Sequence, residues 1–331
     1  MFYQIKSMLG AGLIGLLGIV GFSSLSPSTA RAEFQIVTSF PQDAAIAKAI
    51  GGDRVAVKSL SRANQDPHNL QPKPSLAVWL NRADLLIVNG QDMELAWLPI
   101  ALTNARNGKI IEGADGYFNP SEGVSLIPYS PKELEQTPFF TLNIIAGASS
   151  AGGGQITVTR GNHHFWLDPA NGLVVARNIA MKLSEMEPDH AVFYQENLEK
   201  FRTRLTKKIE EWDAIMVPFK GTKIVTYHRD WIYLLKRHGL DNFAYIEPRE
   251  TIPPSAAQIA SLVKKMKRAD IRLILTSSWQ RQQIPKEIAK QTGAGHIVLP
   301  TSVGKDVGVK DYIDLFDVIY GRLSAALKGI S

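Results

Sequence analysis

The 331 residues carry a formal net charge of +6, 45% hydrophobic side chains and no cysteine. That apolar content excludes a disordered chain and the length accommodates two ordinary domains, while the missing thiols exclude disulfides, thiolate metal sites and attachment through a lipidated cysteine. Any metal site must use nitrogen and oxygen ligands, and the charge, +4 once Lys6 and Arg31 leave with an N-terminal signal, is weak support for an anionic partner and none for nucleic acid.

The chain opens with Lys6, an apolar run "MLGAGLIGLLGIVGF" and the small-residue stretch "ARA" ending at Ala32. This order reads as a secretory signal over residues 1–32, with Glu33 as the first mature residue and a retained membrane anchor as the alternative. The expected localisation is periplasmic, and with no cysteine at the cleavage point the protein is expected not to be a lipoprotein.

From Phe34, short β-rich runs alternate with helical stretches, the pattern of βα units and parallel sheets. Strands are expected at "FQIVTSF" (34–40), "VAVKSL" (55–60), "LLIVNG" (85–90) and "GKII" (108–111), with helices near 43–50, 75–81 and 94–104 between them. Residues 119–160 are rich in Pro, Gly and Ser without a sustained period, so they read as a loop or hairpin, and "AGASSAGGGQ" as a mobile segment that lacks the Lys-Ser/Thr of a phosphate loop.

A helix is expected from Pro169 to Met186, with Asp168 as its N-cap, followed by a longer one over 189–216 that keeps apolar residues at helical spacing. The α/β rhythm then resumes with strands at 223–228, 243–247, 271–277 and 296–299 and a last helix from Asp311. The expected fold is α/β, with two similar lobes, each a parallel-rich sheet flanked by helices, and a long rigid helix joining them. The boundaries are 33–186 for the N-terminal lobe, 187–217 for the linking helix and 218–331 for the C-terminal lobe, with the ligand site between lobes.

Ligands of open parallel sheets bind outside the carboxyl ends of the strands, and His68, His164, His228 and Glu247 all fall at element ends on this reading. Three imidazoles and one carboxylate are an ordinary ligand set for Zn2+, and suit Mn2+ if the carboxylate is bidentate. There is no His-Glu-x-x-His pair and no Gly-x-Ser-x-Gly elbow, so a hydrolase has little support.

Three runs, "DPHNLQPKPS…LNRADLLIVNGQDMELAWL", "NHHFWLDP" and "VTYHRDWIYLLKRHGL", together resemble the zinc/manganese-binding solute receptors of ABC importers. The resemblance spans nearly the whole mature chain. It implies metal ligands at His68, His164 and His228, no enzymatic activity, a permease in the inner membrane as partner, and a monomer. His163 stands where the family pattern has proline; neighbours in an extended segment point to opposite sides, so it reads as a loop residue or a support. The family's late aspartate is missing, since this chain has Pro300 and Thr301 there. Glu247 is the expected replacement, with Glu250 and Asp306 as alternatives. The set tilts to zinc over manganese as the transported ion. The rival functions are a receptor for an organic solute or metal chelate, and a secreted metallohydrolase.

Overall fold

Two four-stranded, all-parallel sheets repeat one strand order along the chain. In the first, Phe34–Thr38 (β1) lies between Val55–Ser59 (β2) and Leu85–Ile87 (β3), and Tyr117–Phe118 (β4) forms the far edge. In the second, Lys223–Thr226 (β5) lies between Asp241–Tyr245 (β6) and Leu273–Ser277 (β7), with Gly295–Leu299 (β8) at the edge. The order 2-1-3-4 in both sheets makes the two-lobe α/β expectation correct. This computed structural model describes residues 33–71, 73–129, 161–248 and 252–330. The expected signal and most of the expected Gly-rich loop lie outside them.

Helices Pro41–Gly51 (α1), Pro74–Arg82 (α2) and Leu98–Ala105 (α3) cover the first sheet. Each has proline in its first turn, where the missing N–H loses no intrahelical bond. Pro169–Met186 (α4) starts as expected, with Asp168 accepting from the Ala170 N–H at 2.9 Å. Ala191–Met216 (α5) is 26 residues, or about 39 Å at the helical rise. It buries Tyr194, Leu198, Phe201, Leu205, Ile209, Trp212 and Met216, whose steps of three and four keep one apolar stripe facing inward.

The second lobe adds Ile232–Arg237 (α6), Ala256–Arg268 (α7), Gln283–Thr292 (α8) and Tyr312–Lys328 (α9). Ser255 and Gln258 form a reciprocal capping box on α7, and Asp311 caps α9. One expectation fails: "GKII" is a 3-10 turn, Gly108–Ile110, and the edge strand is Tyr117–Phe118. Asn107 explains this, accepting from the Lys109 N–H and donating to the carbonyls of Leu80 and Ala83. These local side-chain bonds satisfy backbone groups that a strand would have to pair.

The described residues from Glu33 onward form one compact unit. A continuous core runs from Ile36 and Leu86 through Leu183 and Trp212 to Leu275 and Phe316, and a smaller cluster of Val225, Ile246, Met266, Ile274 and Ile288 fills out the second sheet. Across the seam Trp166 donates to the Thr301 carbonyl at 2.8 Å, Ser302 to Gln42 at 2.7 Å, and Tyr312 to the Trp166 carbonyl at 3.2 Å. The main chain that carries the family's late aspartate is here part of that seam.

Candidate metal centre

His68 lies in the segment after β2, His164 just ahead of α4, and His228 two residues beyond β5. All three are buried, at 7%, 1% and 4% exposure. One ligand nitrogen from each lies within 4.8 Å of the other two, and among the described residues this is the group of His, Asp or Glu that could hold an ion. The strand ends of both sheets meet at this point, the place an open parallel sheet offers a ligand.

Each ring is fixed by an oxygen at Nδ1. His68 Nδ1 is 2.8 Å from Asp66 Oδ1, His164 Nδ1 is 3.0 Å from Asn162 Oδ1, and His228 Nδ1 is 2.7 Å from Glu247 Oε2. A carboxylate or carboxamide oxygen only accepts here, so Nδ1 carries the proton in each ring and Nε2 keeps its lone pair. Ligating imidazoles are held in this way, with the second nitrogen bonded to an outer oxygen that sets tautomer and angle. The His68 ring holds the Asp66 carboxyl below its ordinary range despite burial that pushes it up. Burial, with the neighbouring imidazoles and Arg229 adding, drives His164 far below its ordinary range, so it stands neutral. Its Nε2 is buried and has no hydrogen-bond partner among the described residues.

Asp66 and Asn162 do the same work twice. Each stands two residues before its histidine and accepts from both the backbone N–H and the ring N–H, at 3.0 and 2.8 Å for Asp66 and 2.8 and 3.0 Å for Asn162. These are side-chain turns of the type Asp and Asn favour. The signal was present as Asp-Pro-His and Asn-His-His, an acceptor at the same offset in both runs.

Glu247, expected as the fourth ligand, is placed at His228 Nδ1 and is not among the converging residues. Its carboxylate is engaged at the edge of the ring away from Nε2. Asp306 is exposed on the turn Lys305–Val307, and Glu250 lies outside the described residues. Asp230 is nearer: 1% exposed, with Oδ2 bonded to Ser277 Oγ and Gln280 Nε2, it feels the charges of His228 and His68.

His163 departs from expectation. Its ring centroid is 4.4 Å from that of His164 and 5.1 Å from that of His68, on the same side of the segment as both. The turn at Asn162 and the bent backbone of His164 (φ −84°, ψ 29°) remove the extended alternation on which the opposite-sides argument rested. Trp166 lies against His164 at 5.2 Å. The second aromatic wall is Trp279, at 5.9 Å from His68 and 6.4 Å from His228.

A family model described as "ZnuA: Zinc-uptake complex component A periplasmic" matches residues 36–326. Among curated relatives, the metal ABC transporter substrate-binding lipoprotein FimA of Streptococcus parasanguinis is 27% identical over 294 residues, 87% of this chain and 86% of its own. The manganese ABC transporter substrate-binding lipoprotein PsaA of Streptococcus pneumoniae is 26% identical over 295 residues, with 87% and 86% covered. Among solved structures, a crystal structure of ZnuA superposes with a TM-score of 0.70 at 22% identity, covering 89% of this chain and 99% of its own. A manganese-bound periplasmic metal-binding protein from Candidatus Liberibacter asiaticus gives 0.68 at 22% identity, covering 88% and 98%.

These relatives correct the localisation. FimA, PsaA and the SloC protein of Streptococcus mutans are named as lipoproteins, so the expectation of a periplasmic protein that is not a lipoprotein is withdrawn. The absence of cysteine closes one chemistry of attachment, a thioether to lipid, and bears on no other. Among the described residues no helix is long and apolar enough to cross a membrane.

Proposed function

This chain belongs to the ZnuA family of metal-uptake components, substrate-binding proteins of ABC transporters and not enzymes, and we propose that it captures one divalent transition metal through Nε2 of His68, His164 and His228. It hands the ion to an ABC permease. The ion is cargo, so the site has to hold it firmly and still let it go.

One observation carries this reading: three buried imidazoles from both lobes converge while each Nδ1 is taken by Asp66, Asn162 or Glu247. A histidine that merely lined a cleft for an organic solute would have no need of a fixed tautomer. Nitrogen-rich sets suit zinc, whereas manganese favours carboxylate and carbonyl oxygen, so zinc is the preferred cargo. The manganese proteins among the relatives are the reason to test both ions.

Calorimetric titration of the chelator-stripped protein with Zn2+ and with Mn2+ tests this. One site per chain, tighter for zinc and lost in His228→Ala, is the expected result. Heat unchanged by that substitution, or no heat in the parent, would overturn it.

A further inference from the structure

We propose that the outer layer of the second lobe, α7 and α8, is a basic face that holds the protein against anionic phospholipid headgroups. The face stands apart from the histidine group, so the inference is independent of what that group binds. It gives a task to the run "KKMKRAD" (264–270), which the metal site leaves unused.

The charge of the chain is segregated. Residues 256–294 hold eight Lys or Arg and two acids, a net of +6, whereas the other residues from Glu33 onward hold 27 and 29, a net of −2. All eight cations are exposed, and four of them, Lys264, Lys265, Lys267 and Arg268, lie on α7. Arg272 is neutralised by Asp270 at 2.8 Å, but among the described residues no acid stands within ion-pair distance of the four on α7. The second acid, Glu287, accepts from the Gln291 side chain at 2.9 Å and leaves the excess uncompensated.

The fold turns this charge outward. α7 and α8 pack together and bury Leu262, Val263, Met266 and Ile288 in the smaller apolar cluster, while Leu234 of α6 and Phe316 of α9 belong to the continuous core. The two helices therefore cover the side of the second sheet turned away from the first lobe. Helix stability does not account for the pattern: cations in the last turn of α7 complement its macrodipole, but Arg281 and Lys286 stand at the start of α8, where the same dipole opposes them. A protein partner would need apolar or aromatic anchors at the centre of the contact, and none of the exposed large hydrophobic side chains lies in 256–294. A headgroup layer asks only for positive charge spread over an area. A receptor that serves a permease works beside such a layer.

Co-sedimentation with vesicles tests this on the chain from Glu33 onward, which forms one compact unit. The expected result is binding to mixed phosphatidylglycerol and phosphatidylcholine vesicles at about 0.1 M salt, release at about 1 M, and none to pure phosphatidylcholine. Each Lys or Arg near an anionic surface contributes roughly fivefold, so Lys264→Gln, Lys265→Gln and Lys267→Gln together should cost about a hundredfold in partition. Lys200→Gln, Arg204→Gln and Lys207→Gln remove the same charge from the exposed side of α5 and should cost under about threefold, by distance and screening. Circular dichroism checks that each variant is folded, and Lys286→Gln with Lys290→Gln, expected to cost about twentyfold, replaces the α7 variant if it is not. A parent that ignores the anionic vesicles, or binds pure phosphatidylcholine as well, overturns the proposal without any variant. Equal losses in the α7 and α5 variants overturn it too, because net charge and not this face would then govern.

Discussion

Glu247 Oε2 lies 2.7 Å from Nδ1 of His228, 19 residues earlier in the chain, with both side chains nearly buried. The pair joins the segment after β5 to the end of β6, adjacent strands of one sheet, so the carboxylate sets the angle of a ring that must meet two others from the opposite lobe.

Removing that carboxylate should weaken the site without abolishing it. Glu247→Ala is expected to cost about ten- to a hundredfold in metal affinity, the usual effect of losing an outer oxygen. Calorimetric titration should still show one ion per chain. Loss of stoichiometric binding would make Glu247 a ligand after all.

Asn162 should matter for stability as well as for metal. Its Oδ1 accepts from two N–H groups of His164 and its Nδ2 donates to the Arg229 carbonyl at 3.2 Å. Asn162→Ala leaves buried donors unpaired, at about 1–3 kcal/mol, so the metal-stripped variant should unfold at lower denaturant and also bind zinc less well. Asn162→Asp keeps the acceptor and should lose less of both.

A backbone approach fixes the seam between α4 and α9. A Cβ on Gly172 would come within 2.4–2.6 Å of the Tyr312 ring, which is 1% exposed. Gly172→Ala should therefore destabilise by about 1–3 kcal/mol, the usual effect of overpacking. Denaturant unfolding reads the loss, and the number of ions bound should not change.

Two buried acids give the fold a pH dependence of definite sign. Burial pushes Asp43 up to about 8, with Glu94 adding, and burial likewise pushes Glu94 up to about 7. Each is protonated in the fold where the unfolded chain has released its proton. Their stabilisation is therefore complete below the ordinary carboxylate range and is lost as pH rises through about 7 to 8. Burial of neutral His164 acts in the opposite direction on the acid side, so the parent curve alone is ambiguous and a difference is the measurement. Asp43→Asn, metal-stripped, should gain in melting temperature relative to the parent as pH rises from 5 to 8, with the window set by the shift of Asp43. A constant offset would show that Asp43 does not titrate there.

Much of this was legible beforehand because the relevant signals are local. Pro169 after a capping Asp168 marked the start of α4, and apolar steps of three and four marked α5. The three histidines were marked by strand ends and by the resemblance together. Glu247 was found at its strand end, but its contact with His228 Nδ1 was not, since nothing in a sequence says which edge of an imidazole a carboxylate faces. The alternation rule assumed extended backbone at His163, and the turn made by Asn162 cancels it. Trp279 was missed because its place beside His68 depends on how the two sheets meet, a long-range fact with no local mark.

Tyr233 of α6 donates to the Asn162 carbonyl at 2.5 Å and accepts from the Ile127 N–H at 3.0 Å. Together with the Asn162–Arg229 bond, it makes the histidine-bearing segment of one lobe a tenant of the other. A permease pulling on either half would thus reach the cargo through these polar stitches as well as through the continuous core. Tyr233→Phe should leave one ion bound per chain by calorimetric titration while loosening that linkage.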